Sequence, residues 1–445
     1  MSPNPIDPAS SLKKLFEHRR SPQETAPEAL FQGVPVSPPP AERAASKGGK
    51  KLDFKPILQA GKKLVSDVQG LARRVADPSG RPSGVVGVDV GHAAVKVVRL
   101  EPSNGSYRIA AVQIRDLEAG VSEELVRESL VKQHLQALKN DGFLGGPVVV
   151  NFHHQDSIVE SMRLPKMPPD ELQQAVVWEA QERLSLKPDK SIIRYIVNGE
   201  AAVDGQAQLE LLLIGVPKEP LMASWRSIAE MGVKVVAMEP SSLMAFYPLL
   251  SQNLWKPTEV VGHLEIGAKV SHLSFIRGGA VRFNRSFPVA GDTVTQAIVD
   301  YCQKEFAEAE RLKREFGISK MALEEDRHEA GHEGEDRVKV SHALGLHLEQ
   351  LVAEIEHSYR YFAFELGGTD AQRMDRLLIT GGGGLLKYLP DFLNSRLLVP
   401  VELADPLRGL EIAPALKEEL GTGFSQRLGV AVGLAMRPVN SKEKS

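Results

Sequence analysis

The sequence predicts an α/β fold of layered sheets and helices made of two related halves. Three observations carry that expectation. Short apolar runs alternate with helical stretches from Val85 onward. Two hairpins of one design, "GVDVGHAAVKVVRL" and "GHLEIGAKVSHLSF", each set a carboxylate two residues ahead of a glycine, Asp89-x-Gly91 and Glu265-x-Gly267. A further apolar run, "LLIT", opens into Gly381, Gly382, Gly383 and Gly384 before another helical stretch.

Residues 1–84 stand apart from this pattern. The first forty contain nine prolines, each fixing φ and removing an amide donor, so this stretch is expected to be a largely disordered, extended tether. Within it, residues 54–76 place Phe54, Ile57, Leu58, Leu64, Val65, Val68, Leu71 and Val75 at helical spacing beside Lys62, Lys63, Arg73 and Arg74. Such a basic amphipathic helix suits its own globular domain, a partner's groove or an anionic membrane surface, and peripheral membrane contact through 54–76 is an expectation.

From Val85 the elements follow in order. "VVGVDV" and "VKVVRL" are buried strands, and the helix after them starts with Ser122 as N-cap and stops at Gly142. "GPVVVNF" and "SIVESMRLP" are strands, and "PPDELQQAVVWEAQERL" is a helix opened by prolines and acids. Two more strands, the helix "EPLMASWRSIAEMG" and the strand "VKVVAMEP" complete the first half. Trp178 and Trp225, both on helices, read as core or domain-interface aromatics, and His263 and His272 as satisfied histidines of a strand.

Composition narrows the function classes. A formal charge of −3 over 445 residues, without a basic patch interleaved with aromatics, argues against nucleic acid. A single cysteine, Cys302, forms no internal disulfide, and no apolar run is long enough to span a bilayer, so a cytoplasmic location is expected. "HEAGH", His328 to His332, matches a zinc-protease pattern, but its polar, acidic surroundings lack the apolar helix that buries such a site, so it reads as a solvated loop.

The glycine turns point to phosphate. A turn glycine lets backbone amides approach an anion, and a carboxylate at the strand end can hold the waters of a magnesium ion. Bare glycine backbone can lie under a base and ribose, and "EAERLK" puts Glu310 and Lys313 on one helical face at i,i+3.

Taken in this order, the motifs resemble the actin-like ATPase superfamily. More closely, "DVGHAAVKVVRL", "RLPKMPPDELQQAVVWEAQERL", "PVAGDTVTQAI", "EAERLKREFG" and "ITGGGGLLKYLPDFL" resemble the PilM family of type IV pilus assembly proteins, over roughly residues 85–438. The resemblance implies a duplicated, ribonuclease H-like two-lobe fold. The first lobe would be 85–257 with an inserted α/β domain near 148–235, and the second 258–445, its last helix "QRLGVAVGLAM" returning to the first lobe.

It also implies a cytoplasmic adaptor peripheral to the inner membrane, binding ATP and magnesium. The partner would be the cytosolic tail of a PilN-like inner-membrane protein, in pilus assembly or related type II secretion, with other pilus components and self-association around it. Carried onto this chain, Asp89, Gly91 and Lys96 form the first phosphate site, and Glu265 and Gly267 the second. Glu310 and Lys313 grip ribose and base, Gly381, Gly382 and Gly383 form the adenosine loop, and Asp89 and Glu265 hold magnesium through water.

Departures matter for the chemistry. His92, Ala93 and Ala94 stand where the family places serines, and Glu265, Lys269 and Val270 replace Asp and small or hydroxyl residues. The hydroxyls lost each contribute about 1.5–3 kcal/mol to a charged acceptor. The extra methylene of Glu265 displaces any catalytic carboxylate, and an error near 1 Å costs about a hundredfold in rate. Lys269 is a point charge available to phosphate. Nucleotide binding with little hydrolysis is expected; an active ATPase or a filament-forming membrane tether like the division protein FtsA is the alternative.

Overall fold

The computed structural model describes residues 84–103, 106–120, 124–203, 206–252, 256, 258–318, 332–366, 373–413, 416 and 423–437. The 54–76 segment, Ser122, and "HEAGH" up to its last residue lie outside them.

The first half runs β1 (Val85–Val90), β2 (Ala94–Ser103), β3 (Ser106–Asp116), α1 (Glu124–Asn140), β4 (Val148–Phe152), β5 (Ile158–Pro165), α2 (Pro169–Leu184), β6 (Ser191–Val203), β7 (Gln206–Pro217), α3 (Lys218–Ala229), β8 (Val235–Pro240) and two short helices, α4 (Ser241–Met244) and α5 (Tyr247–Leu250). The second runs β9 (Val260–Ile266), β10 (Ser271–Arg277), β11 (Ala280–Phe287), α6 (Gly291–Cys302), α7 (Phe306–Phe316), α8 (His332–Tyr361), β12 (Arg376–Thr380), α9 (Leu389–Leu397), β13 (Val401–Leu403), β14 (Glu411–Ile412) and α10 (Gly429–Ala435).

The two main sheets repeat one plan. In the first, the order β3-β2-β1-β4-β8 has antiparallel hairpins on one side of β1 and parallel strands on the other, with β14 added at the edge. The second repeats it as β11-β10-β9-β12-β13, with the same directions. This is the duplicated, two-lobe actin-like architecture, and it explains the strands' continuous apolar runs. In β2, Val95 and Val97 enter one core while Val98 and Leu100, pointing the other way, enter another.

The insert is narrower than the sequence suggests. Val148–Phe152 and Val235–Pro240 are both strands of the first main sheet, so the separate three-stranded sheet, ordered β5-β7-β6, spans Ile158 to Pro217. The helix α2 covers one face of it through Leu172, Val176 and Ala180. Helix α3, also inside the expected boundary, buries Met222, Trp225 and Ile228 in the first lobe's core.

Trp225 is buried as expected, but Trp178 is 60% exposed. Its helix buries positions 172, 176 and 180, a stripe at i,i+4 spacing, and Trp178 lies on the opposite side.

Helix α10 closes the molecule. Its Val430 and Leu434 join the first lobe's core, and it lies against β1 so closely that only glycine fits at Gly87. The insert in turn is fastened to the second lobe: Glu210 of β7 accepts from Arg163 of β5 (2.9 Å) and from Arg282 of β11, and Asn198 of β6 donates to the Val281 carbonyl.

A two-turn crevice between the lobes

The two glycine turns have the same local geometry. The Gly91 amide donates to the Ala94 carbonyl (3.0 Å), and the Gly267 amide donates to the Val270 carbonyl (3.1 Å). Across each hairpin the carboxylate faces a basic residue, Asp89 opposite Lys96 and Glu265 opposite His272. In the first, Lys96 Nζ donates to Asp89 Oδ2 at 2.7 Å. Asn151, on β4, anchors the turn by accepting from the Val90 amide (2.7 Å) and donating to Ser241 Oγ (3.0 Å).

The turns face one another across the lobes. Glu265, 9% exposed, feels the charges of Lys96 and Asp89 from the opposite lobe. Burial pushes its carboxyl up to about 7; Lys96 opposes that shift and Asp89 adds to it. His92 of the first turn lies in the field of Lys269 of the second and of Arg127, which itself donates to the Gly91 carbonyl at 2.9 Å. The rings of His92 and His153 are 5.8 Å apart, and those of His153 and His272 5.9 Å, so imidazoles bridge the crevice. Sequence reasoning missed Arg127 and His153, which come from α1 and the end of β4; "NFHH" at a strand end was the available signal.

Other expected site residues have structural partners. Glu310 and Lys313 pair at 2.6 Å; Lys313 Nζ donates to the Gly291 carbonyl (2.9 Å), and Thr295 Oγ1 donates to Glu310 (2.6 Å). The pair therefore clasps α7 to the first turn of α6. The amides of Gly291 and Asp292, free donors in an isolated helix, are spent on the Gly267 and Ala268 carbonyls.

The glycine loop follows a different rule from the one expected. Gly381, with φ of +86°, has no room for a side chain: a Cβ there would sit 2.8 Å from Glu265 Oε1 and against the Ile266 carbonyl. At Gly383 a Cβ would lie 3.1 Å from that same carbonyl. These two glycines let the loop pack on the end of β9, and of the three only Gly382 opens onto free space.

A resident magnesium ion fits these residues poorly. Lys96 already occupies Asp89, and Glu265 is buried beside that ion pair, so neither carboxylate is free to hold the waters of the ion. The residues present are a better match for an anion.

His263 and His272 are satisfied as expected, by Thr380 Oγ1 (2.8 Å) and Ser286 Oγ (2.7 Å). Burial lowers both to about 3, from 6.5; for His272 the neighbouring His153 and His263 add to it. Such a ring binds a proton more readily in the unfolded chain, so its contribution is neutral above pH 6.5 and increasingly destabilising from 6.5 down to about 3. Glu265 works in the opposite sense: its raised pKa favours folding below 4.5 and loses that advantage as pH rises to about 7. Urea unfolding of Glu265→Gln between pH 4.5 and 7 is expected to remove that component, at most about 1.4 kcal/mol per pH unit, steepening the acid loss. An unchanged slope would refute the assignment.

Among the described residues, no helix is long and apolar enough to cross a membrane. Among solved structures, a PilM-PilN type IV pilus biogenesis complex aligns with a TM-score of 0.65 and 22% identity, over 79% of this chain and 98% of that one. Ethanolamine utilization protein EutJ from Carboxydothermus hydrogenoformans aligns with a TM-score of 0.43 and 13% identity, over 86% of this chain and 99% of that one. MreB 5 of Spiroplasma citri bound to AMPPNP gives 0.43 and 14%, over 79% and 95%. The family described as type IV pilus assembly protein PilM matches residues 87–439. That span takes in both lobes, the insert and the returning helix, and the chain belongs to the PilM family of type IV pilus assembly proteins.

Proposed function

We propose that this chain is a nucleotide-binding adaptor that docks the cytosolic tail of a PilN-like inner-membrane protein during type IV pilus assembly. It works in the cytoplasm, peripheral to the inner membrane. The observation that carries the reading is the pair of matching turns, Asp89-x-Gly91 and Glu265-x-Gly267, facing each other between the lobes of a PilM-family fold. The similar solved structure is itself a complex of PilM with PilN, which supports the choice of partner.

ATP is the nucleotide class assigned. Its phosphates lie between the turns, near Lys96 and Lys269, and its ribose side faces Gly382 and the Glu310–Lys313 clasp. Hydrolysis is slow or absent: Glu265 sits one methylene from the family position, and the first turn offers His92 in place of a hydroxyl. Nucleotide regulates tail docking only through a difference in tail affinity between the bound and free states.

The test is titration of the full chain with a synthetic PilN-type cytosolic tail, with and without ATP, alongside phosphate release. Saturable tail binding and little turnover are expected. Brisk magnesium-dependent turnover abolished by Asp89→Ala would favour an active ATPase, and no tail binding under any condition would remove the adaptor reading.

A further inference from the structure

The first turn lacks hydroxyls, yet the crevice is rich in positive and imidazole groups from several elements. Lys96 rises from β2, its Nζ 2.7 Å from Asp89 Oδ2 and its side chain 17% exposed. Arg127 reaches from α1 to the first turn, donating to the Gly91 carbonyl at 2.9 Å and to Glu124 at 3.1 Å. Lys269, exposed at the tip of the second turn, acts on His92 across the gap and on Asp292 at the start of α6. His92, His153 and His272 form a row between them.

The acids facing this group are Asp89, Glu124, Glu265 and Asp292. Asp89 is held by Lys96, and Asp292 lies beside Lys313 and Lys269. A divalent cation placed between the turns would therefore meet the field of two ammonium groups and a guanidinium. A polyphosphate would meet its own counter-charges there.

We infer that this crevice takes the phosphates of a nucleoside triphosphate directly on Lys96, Lys269, Arg127 and the histidine row, without a divalent cation. The inference rests on the nucleotide reading above and deepens it. Lys269 carries the charge that magnesium supplies in a metal-dependent site, at the turn where the family resemblance implies a small or hydroxyl residue. His92 stands in the first turn where the resemblance implies a hydroxyl, and its imidazole is a neutral donor to phosphate oxygen.

The experiment is calorimetric titration of the full chain with ATP in excess EDTA and in excess magnesium. The two affinities are expected to agree within about threefold, and Lys269→Met is expected to weaken binding in EDTA by about tenfold, with Lys269→Arg restoring most of it. Lys269 is exposed, so its variants leave the core intact. ATP binding that needs magnesium, or an unchanged affinity in Lys269→Met, would overturn the inference while leaving the nucleotide reading in place. Absence of binding in both buffers would overturn the nucleotide reading and this inference with it.

Discussion

Gly87→Val is expected to destabilise the protein by about 3 kcal/mol or more and lower Tm by about 6 °C or more. Gly87 lies in the middle of β1, where α10 crosses the sheet. A Cβ at that position would come within 2.6 Å of the Ala435 amide nitrogen and closer still to the Ala431 carbonyl, with Leu434 Cβ at 3.0 Å. All but the last are backbone atoms, which move only if the helix moves. Displacing α10 uncovers Val430, Leu434 and the apolar face that Val98, Leu100 and Ile109 share with Ala431 and Val432. Each large side chain so exposed forfeits about 1.5–3 kcal/mol.

Gly345→Ala is the control. A Cβ there meets nothing within 4 Å, in the middle of α8, so that substitution is expected to stabilise by about 0.5–1 kcal/mol. Thermal unfolding of both variants decides the matter. If Gly87→Val melts with the parent, α10 does not sit where this packing requires.

The same local signals explain what the sequence made legible. Asp89-x-Gly91 and Glu265-x-Gly267 are short-range patterns, readable because a hairpin's register is set by its own turn. The structure gives both the same glycine-to-carbonyl hydrogen bond, so the internal repeat was visible from a few residues. Trp178 was misread as a core or interface aromatic because residue type was weighed above position: the Leu172, Val176, Ala180 stripe places it away from the buried face.

Sheet membership was not legible. A buried strand such as Val148–Phe152 carries the same apolar run whether it joins the main sheet or the insert, because what differs is the partner and not the pattern. For the same reason the crevice was half visible. Asp89 and Lys96 lie within one hairpin, whereas Arg127 and His153 arrive from elements dozens of residues away, and no spacing rule links them. The Gly381–Gly383 run was read for openness toward a ligand, but a glycine run looks identical when it permits close packing on Ile266.

Removing one member of the Arg437–Glu239 pair is expected to cost about 3–5 kcal/mol. Arg437, just beyond the last turn of α10, is 1% exposed and forms an ion pair with Glu239 near the end of β8. Arg437→Met removes the guanidinium paired with Glu239, and Glu239→Leu removes the carboxylate paired with Arg437; each variant keeps one buried charge and loses this ion pair. The double variant removes both charges and fills similar volume, so its loss should be far smaller than the sum of the two. A double-mutant cycle by urea unfolding measures that difference, and a coupling of several kcal/mol is expected because the residues touch. Additive losses would mean that the two charges act independently. The pair ties the end of α10 to the strand that leads into α4, and so holds the returning helix over the first lobe on which the Asp89 turn is built.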